Sequence, residues 1–172
     1  MSLEEMVVEL QEYVRTRFFG KYRGLVTDVD DPEGLGRIRA QVPAVLENLD
    51  SEWAMPSVPF AGSGHGWVTL PEPGDGVWIE FEGGELSRPI WSGCWWADNE
   101  LPRPGATRVR LFATSSGHRL ILDEDAGEIT LEHGSGPSIV IKSNEIKLTV
   151  GGKEIVLSST GVSINQGALE VR

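Results

Sequence analysis

Leu120-Ile121-Leu122, Ile129-Thr130-Leu131, Ile139-Val140-Ile141, Ile146-Lys147-Leu148, Ile155-Val156-Leu157, Val162-Ser163-Ile164 and Leu169-Glu170-Val171 form a ladder of short apolar beats whose starts lie 9, 10, 7, 9, 7 and 7 residues apart. The residues between them are polar and punctuated by glycine, and no apolar run reaches the length of a buried helix. This is strand, turn, strand at a nearly fixed period. A strand of three or four residues cannot offset the ordering of its own backbone, which costs roughly 1–2 kcal/mol per residue. The rungs must therefore stack, as in a β-helix or β-prism. Seven beats are too few for three walls wound from one chain. Three chains together would give each wall about seven layers, a needle on the order of 30 Å tall at ~4.8 Å per strand. The expectation is an obligate homotrimer with a core of Ile129, Leu131, Ile139, Ile141, Ile146, Leu148, Ile155, Leu157, Val162 and Ile164.

The chain has 172 residues, 15 Lys and Arg against 26 Asp and Glu, and a formal charge of −11. An acidic balance of that size repels phosphate backbones, so nucleic acid is excluded as a partner. With a single cysteine, Cys94, stability must come from packing and association. No stretch approaches the ~20 apolar residues of a membrane span. The acidic start, Met1-Ser2-Leu3-Glu4-Glu5, lacks the positive charge of a secretory signal, which points to assembly in a cytoplasm.

Four regions follow from the pattern. Residues 1–19 hold an amphipathic helix over 2–18, with Leu3, Met6, Val7, Leu10, Val14 and Phe18 at helical spacing, Ser2 and Glu5 as a capping box, and Gly20 as the stop. Its apolar face exceeds what a lone surface helix needs, so it is expected to dock on its own domain or on a partner. Residues 20–99 read as a small barrel of the OB type: strands at Tyr22–Val29, Arg37–Val42, Val68–Leu70, Val77–Glu82 and Pro89–Trp96, joined by Asp30-Asp31-Pro32-Glu33-Gly34 and Pro71-Glu72-Pro73-Gly74-Asp75-Gly76. Residues 100–110 read as a stiff linker and 111–172 as the trimeric spike. The fold class is all-β, with an N-terminal helix, an OB-type barrel and a C-terminal intertwined β-helix.

The barrel words are specific. Gly24-Leu25-Val26-Thr27-Asp28-Val29, Asp31-Pro32-Glu33-Gly34-Leu35-Gly36-Arg37-Ile38-Arg39 and Pro43, Trp53-Ala54, Pro73-Gly74-Asp75-Gly76-Val77-Trp78-Ile79-Glu80-Phe81 and Arg88-Pro89-Ile90-Trp91-Ser92-Gly93 follow in an order and spacing that resemble the baseplate assembly protein V family of phage tails and the corresponding part of type VI secretion spikes. The resemblance spans about residues 20–98, and Gly24, Asp31, Pro32, Gly36, Arg37, Pro43, Gly74, Asp75, Phe81, Pro89 and Gly93 carry it. Cys94-Trp95-Trp96 departs from the family's usual ending. The chain is expected to be the short spike subunit, without the fused hub domain of secretion spikes and without a lysozyme-like domain. The resemblance implies a central spike of a contractile injection machine, built as a homotrimer, attached to a separate baseplate hub protein, capped by a PAAR-type tip protein and in transient contact with a target membrane. Leu169 and Val171, which end the ladder without a polar cap, are then the expected tip contacts.

Other constellations point elsewhere and are weaker. Asp28, Asp30, Asp31 and Glu33 lack the ligand spacing of a calcium loop and suit a hairpin turn. Gly34 and Gly36 lack the third glycine and the helix of a dinucleotide site. Ser115, Ser116, His118 and Asp123 hold the letters of a hydrolytic triad without a nucleophile elbow, so no enzyme is expected. His118 and His133 are the candidates for an axial metal on a trimer axis, whereas His65 sits in a barrel loop; no metal and no cofactor are expected. Six tryptophans, Trp53, Trp67, Trp78, Trp91, Trp95 and Trp96, all fall in the barrel, and the alternative function is a trimeric carbohydrate- or ligand-binding module that uses them.

Overall fold

A computed structural model of the chain describes residues 2–103, 106–166 and 168–171, the side chains of Glu170 and Val171 excepted. The chain divides into two compact units, Met1–Leu101 and Pro102–Arg172.

The first unit opens with helix α1, Leu3–Thr16. Ser2 Oγ accepts the Glu5 N–H at 3.2 Å and Glu5 Oε2 accepts the Ser2 N–H at 2.7 Å, so the capping box forms as the sequence predicts. The helix stops at Thr16 rather than running on to Phe18 and Gly20, because the barrel claims Phe18. Arg17 is already extended, the Phe18 N–H donates to the Gly84 carbonyl at 2.9 Å, and the Phe18 ring meets Phe81 edge-on at 6.2 Å. None of the α1 residues is buried, so the expected docking of its apolar face on its own domain does not occur.

After α1 come β1 (Tyr22–Asp28), β2 (Arg39–Gln41), α2 (Pro43–Leu46, with Pro43 in its first turn), β3 (Met55–Pro56), a small hairpin of β4 (Ala61–Gly62) and β5 (His65–Gly66), β6 (Gly76–Phe81) and β7 (Pro89–Trp95). The five-stranded sheet runs β2-β1-β6-β7-β3, with β3 parallel to β7 and the other neighbours antiparallel. It curls so far that its two edges meet. Ile38 and Ala54 exchange backbone hydrogen bonds of 3.2 and 2.8 Å, which joins the approach to β2 with the approach to β3. The order around this OB-like half-barrel is set by turns, and the curvature is set by two register shifts, one in β1 at Val26/Asp28 and one between β6 and β7, where Ser92 and Gly93 of β7 face Trp78 alone. Inside lie Val26, Ile38, Ala40, Val42, Ala54, Val77, Ile79, Phe81 and Trp91. The expected strand at Val68–Leu70 does not form. Both sides of β7 are already paired, with β6 and β3, and Val68 is 84% exposed.

The second unit is one eight-stranded sheet: β8 (Val109–Ala113), β9 (Arg119–Asp123), β10 (Glu128–Glu132), β11 (Ser138–Ile141), β12 (Glu145–Val150), β13 (Lys153–Ser158), β14 (Gly161–Ile164) and β15 (Leu169–Val171). All seven apolar beats become strands, and β8 precedes them. Every pairing is antiparallel and joins consecutive strands. Within one chain the rungs therefore lie side by side instead of winding about an axis. The connections explain this: two to five residues lie between successive strands, enough for a hairpin and too few for a parallel crossover. One chain supplies one wall about 34 Å tall at ~4.8 Å per strand.

Candidate assembly surfaces

In an antiparallel sheet, residues directly opposite one another point to the same face. The registers Leu122↔Ile129, Leu120↔Leu131, Ile129↔Ile141, Leu131↔Ile139, Ile139↔Leu148, Ile141↔Ile146, Ile146↔Leu157, Leu148↔Ile155, Ile155↔Ile164 and Leu157↔Val162 thus place all ten expected core residues on one face. Phe112 extends the stripe at one end and Leu169 at the other, while Arg110 interrupts it opposite Leu122. Two apolar columns cross the sheet without a break from β9 to β14. The other face is polar and laced with ion pairs, Lys147 with Glu154 at 2.5 Å and Arg119 with Glu132 at 3.5 Å among them.

Exposure runs opposite to the usual rule. On the polar face, Ile121, Val140 and Val156 are half-buried, whereas on the apolar face Leu131 is 54% exposed and Leu157 47%. A contiguous bare apolar face of this length is an interaction surface. Leu169 lies on it by register with Ile164, and β15 is the terminal edge strand. The Val171 side chain lies outside the described residues.

His118 and His133 are 15 positions apart in sequence yet meet edge to face, with ring centroids 4.3 Å apart, where β9 and β10 pair. The sequence reading missed this pairing, although Leu120 facing Leu131 puts the two next in line. The Gly134 N–H donates to His118 Nδ1 at 3.3 Å and the Ser135 N–H to His133 Nδ1 at 3.2 Å. Among the described residues, no three His, Cys, Asp or Glu side chains gather as a metal site. The triad letters are pulled apart: His118 adjoins the start of β9 and Asp123 ends it, about 17 Å away along a strand. The Ala126 N–H, with Arg103 behind it, holds the Asp123 carboxyl below the usual carboxylate range, so its role is to close a turn.

In the barrel, the acidic loop is organised by an arginine. Asp31 Oδ1 accepts from Arg37 Nε at 3.0 Å and Nη2 at 2.6 Å, and its oxygens also take the N–H groups of Glu33, Leu35 and Arg37. The carboxylate is 3% exposed and its acceptor sites are filled from within the loop. Gly36, at φ 74°, turns its carbonyl to Trp91 Nε1 at 3.1 Å and so ties this loop to the barrel wall. Of the remaining motif residues, Gly24 packs its backbone against Gln41, Gly74 and Asp75 form the turn into β6, Pro89 starts β7 and Gly93 sits in its bulge at φ 130°.

The Arg37 guanidinium holds the Asp31 carboxyl well below the usual carboxylate range. A depressed pKa contributes stability above the unfolded value, about 3.9, and that contribution is lost as pH falls toward the folded value. Asp31→Asn is expected to lower the barrel's melting temperature at neutral pH and to flatten its decline below about pH 4, as measured by thermal melts across pH.

The tryptophans are mostly committed to the protein itself. Arg23 lies over Trp78 at 5.6 Å and Trp95 at 5.2 Å, Arg37 and Arg39 lie over Trp53 at 5.8 and 5.2 Å, and Trp91 is buried. Only Trp67 and Trp96, of the six, are largely exposed, and a stacking platform for sugars would need neighbouring free faces.

Residues 22–96 match the family described as the Type VI secretion system/phage-baseplate injector OB domain. Residues 109–170 match the phage baseplate V C-terminal trimerisation domain. No curated protein matches the chain.

Proposed function

Since the chain belongs to the phage baseplate V family, we propose that it is the homotrimeric central spike of a contractile phage tail or phage-tail-like particle. The observation that carries the reading is the uncovered apolar face of the second unit, set within a trimerisation domain. Three copies related by a threefold axis would turn these faces inward and give each layer six large apolar side chains. The resulting prism pairs backbone groups along each wall and keeps its charged faces in water.

Such a body suits a mechanical role. A sheath contraction drives the tube, the spike leads it, and a narrow β-structure resists buckling while it concentrates force on the target envelope. No step of this mechanism needs a reacting group. The first unit would attach the spike to a baseplate hub protein, and the open edge at β15 would seat a PAAR-type tip protein that covers unpaired strand groups. Assembly would take place in a bacterial cytoplasm.

Sedimentation equilibrium tests the core of the proposal. A mass of three chains, stable over a wide concentration range, is the expected result, and a monomer would overturn it. The tip assignment has a separate test. Leu169→Asp is expected to leave the three-chain mass intact and to abolish capture of the particle's tip protein, and undiminished capture would move the tip contact elsewhere.

A further inference from the structure

Helix α1 combines three features that together describe its partner. Leu3, Met6, Val7, Leu10, Tyr13 and Val14 occupy one arc of about 120° at 100° per residue, and Leu3, Leu10 and Val14 are each more than 60% exposed. The rest of the surface carries Glu4, Glu5, Glu9 and Glu12 against a single cation, Arg15, together with Gln11 and one further exposed apolar residue, Val8. Elsewhere the chain pairs its acids densely, through Asp31, Glu33, Glu80, Glu85, Glu128 and Glu154 among others, yet Glu4, Glu9 and Glu12 make no ion pair among the described residues.

Resting on the spike reading above, we infer that α1 is a docking helix that lies in an apolar groove rimmed by Lys and Arg on the hub. The mode is a helix in a groove, with anchors at i, i+3, i+4 and i+7 from Leu3 through Leu10. About 21 Å of helix is available for it. Three copies of α1 covering one another fit worse, because Glu9 sits beside the apolar arc and a threefold axis would multiply uncompensated negative charge. An anionic membrane surface fits worse for the same reason, since it selects cationic amphipathic helices.

The test uses the full-length trimer and the purified hub subunit of the same particle, with binding followed by biolayer interferometry. Affinity is expected to fall as salt rises, to drop roughly tenfold in Glu9→Lys/Glu12→Lys, and to vanish in Leu10→Asp. In a Cys94→Ser background, Leu10→Cys is expected to react readily with a maleimide in the isolated trimer and to become protected once the hub is added. Protection in the isolated trimer would show that the helices cover one another and would overturn the inference. So would unchanged affinity and salt dependence in the charge-reversed variant, or binding of α1 to phosphatidylglycerol vesicles. The two levels separate cleanly. If the wild-type trimer does not bind the hub at all, the hub attachment itself falls; if Leu10→Asp binds as well as wild type, the hub stands and only the helix is wrong.

Discussion

Leu148→Asp is expected to convert a three-chain particle into single chains while leaving the barrel folded. Leu148 lies in the middle of the ladder, opposite Ile139 on one side and Ile155 on the other, and 40% of it is exposed in the isolated chain. In a trimer that closes its apolar faces, the substitution places three carboxylates in the core at one height. An unpaired buried charge costs several kcal/mol even after relaxation, and the lost leucines add about 2–3 kcal/mol per chain. Sedimentation should read the mass of one chain, while the near-ultraviolet signal of the barrel tryptophans persists. The matched control is Thr130→Asp on the opposite, polar face, where Thr130 sits between Ile121 and Val140. That variant is expected to remain trimeric. If both variants dissociate, the sheet itself is failing; if neither does, the apolar face is not the trimer core.

Ile38→Ala is expected to be the most damaging single change in the first unit. Ile38 is fully buried, and its backbone makes two of the hydrogen bonds that join the two edges of the curled sheet. Truncating a buried isoleucine costs about 2–5 kcal/mol, against a total of roughly 4–12 kcal/mol for a domain of this size. The barrel's melting temperature should fall by roughly 10–20 °C. The effect is local by construction, because the second unit has its own hydrogen-bond network and takes no part in this core. A melt of the trimer should therefore show the barrel transition moved and the ladder transition in place. Gly76→Ala offers a second route to the same loss, since an added Cβ would lie 2.5 Å from the Trp95 indole and 2.8 Å from the Trp95 carbonyl oxygen.

The elements most legible in the sequence were those in which chemistry within a few residues decides the structure. The capping box of Ser2 and Glu5, the loop from Asp31 to Arg37 and the seven beats of the ladder all depend on spacing of that kind. Alternation of period two also determines that Ile129 and Leu131 share a face, and the same holds for each apolar pair of the ladder. What needed the tertiary structure was every contact that closes over a long stretch of chain. Phe18 leaves the helix because Gly84 and Phe81 are waiting for it, and Val68–Leu70 stays irregular because β3, distant in sequence, has already taken the edge of β7. The edge-to-face contact of His118 with His133 and the placing of Arg23 over Trp78 and Trp95 are likewise consequences of strand register. Periodicity says which side chains share a face, but the direction of the next strand depends on the turn and on which hydrogen-bonding edges remain free, and those are properties of the assembled sheet.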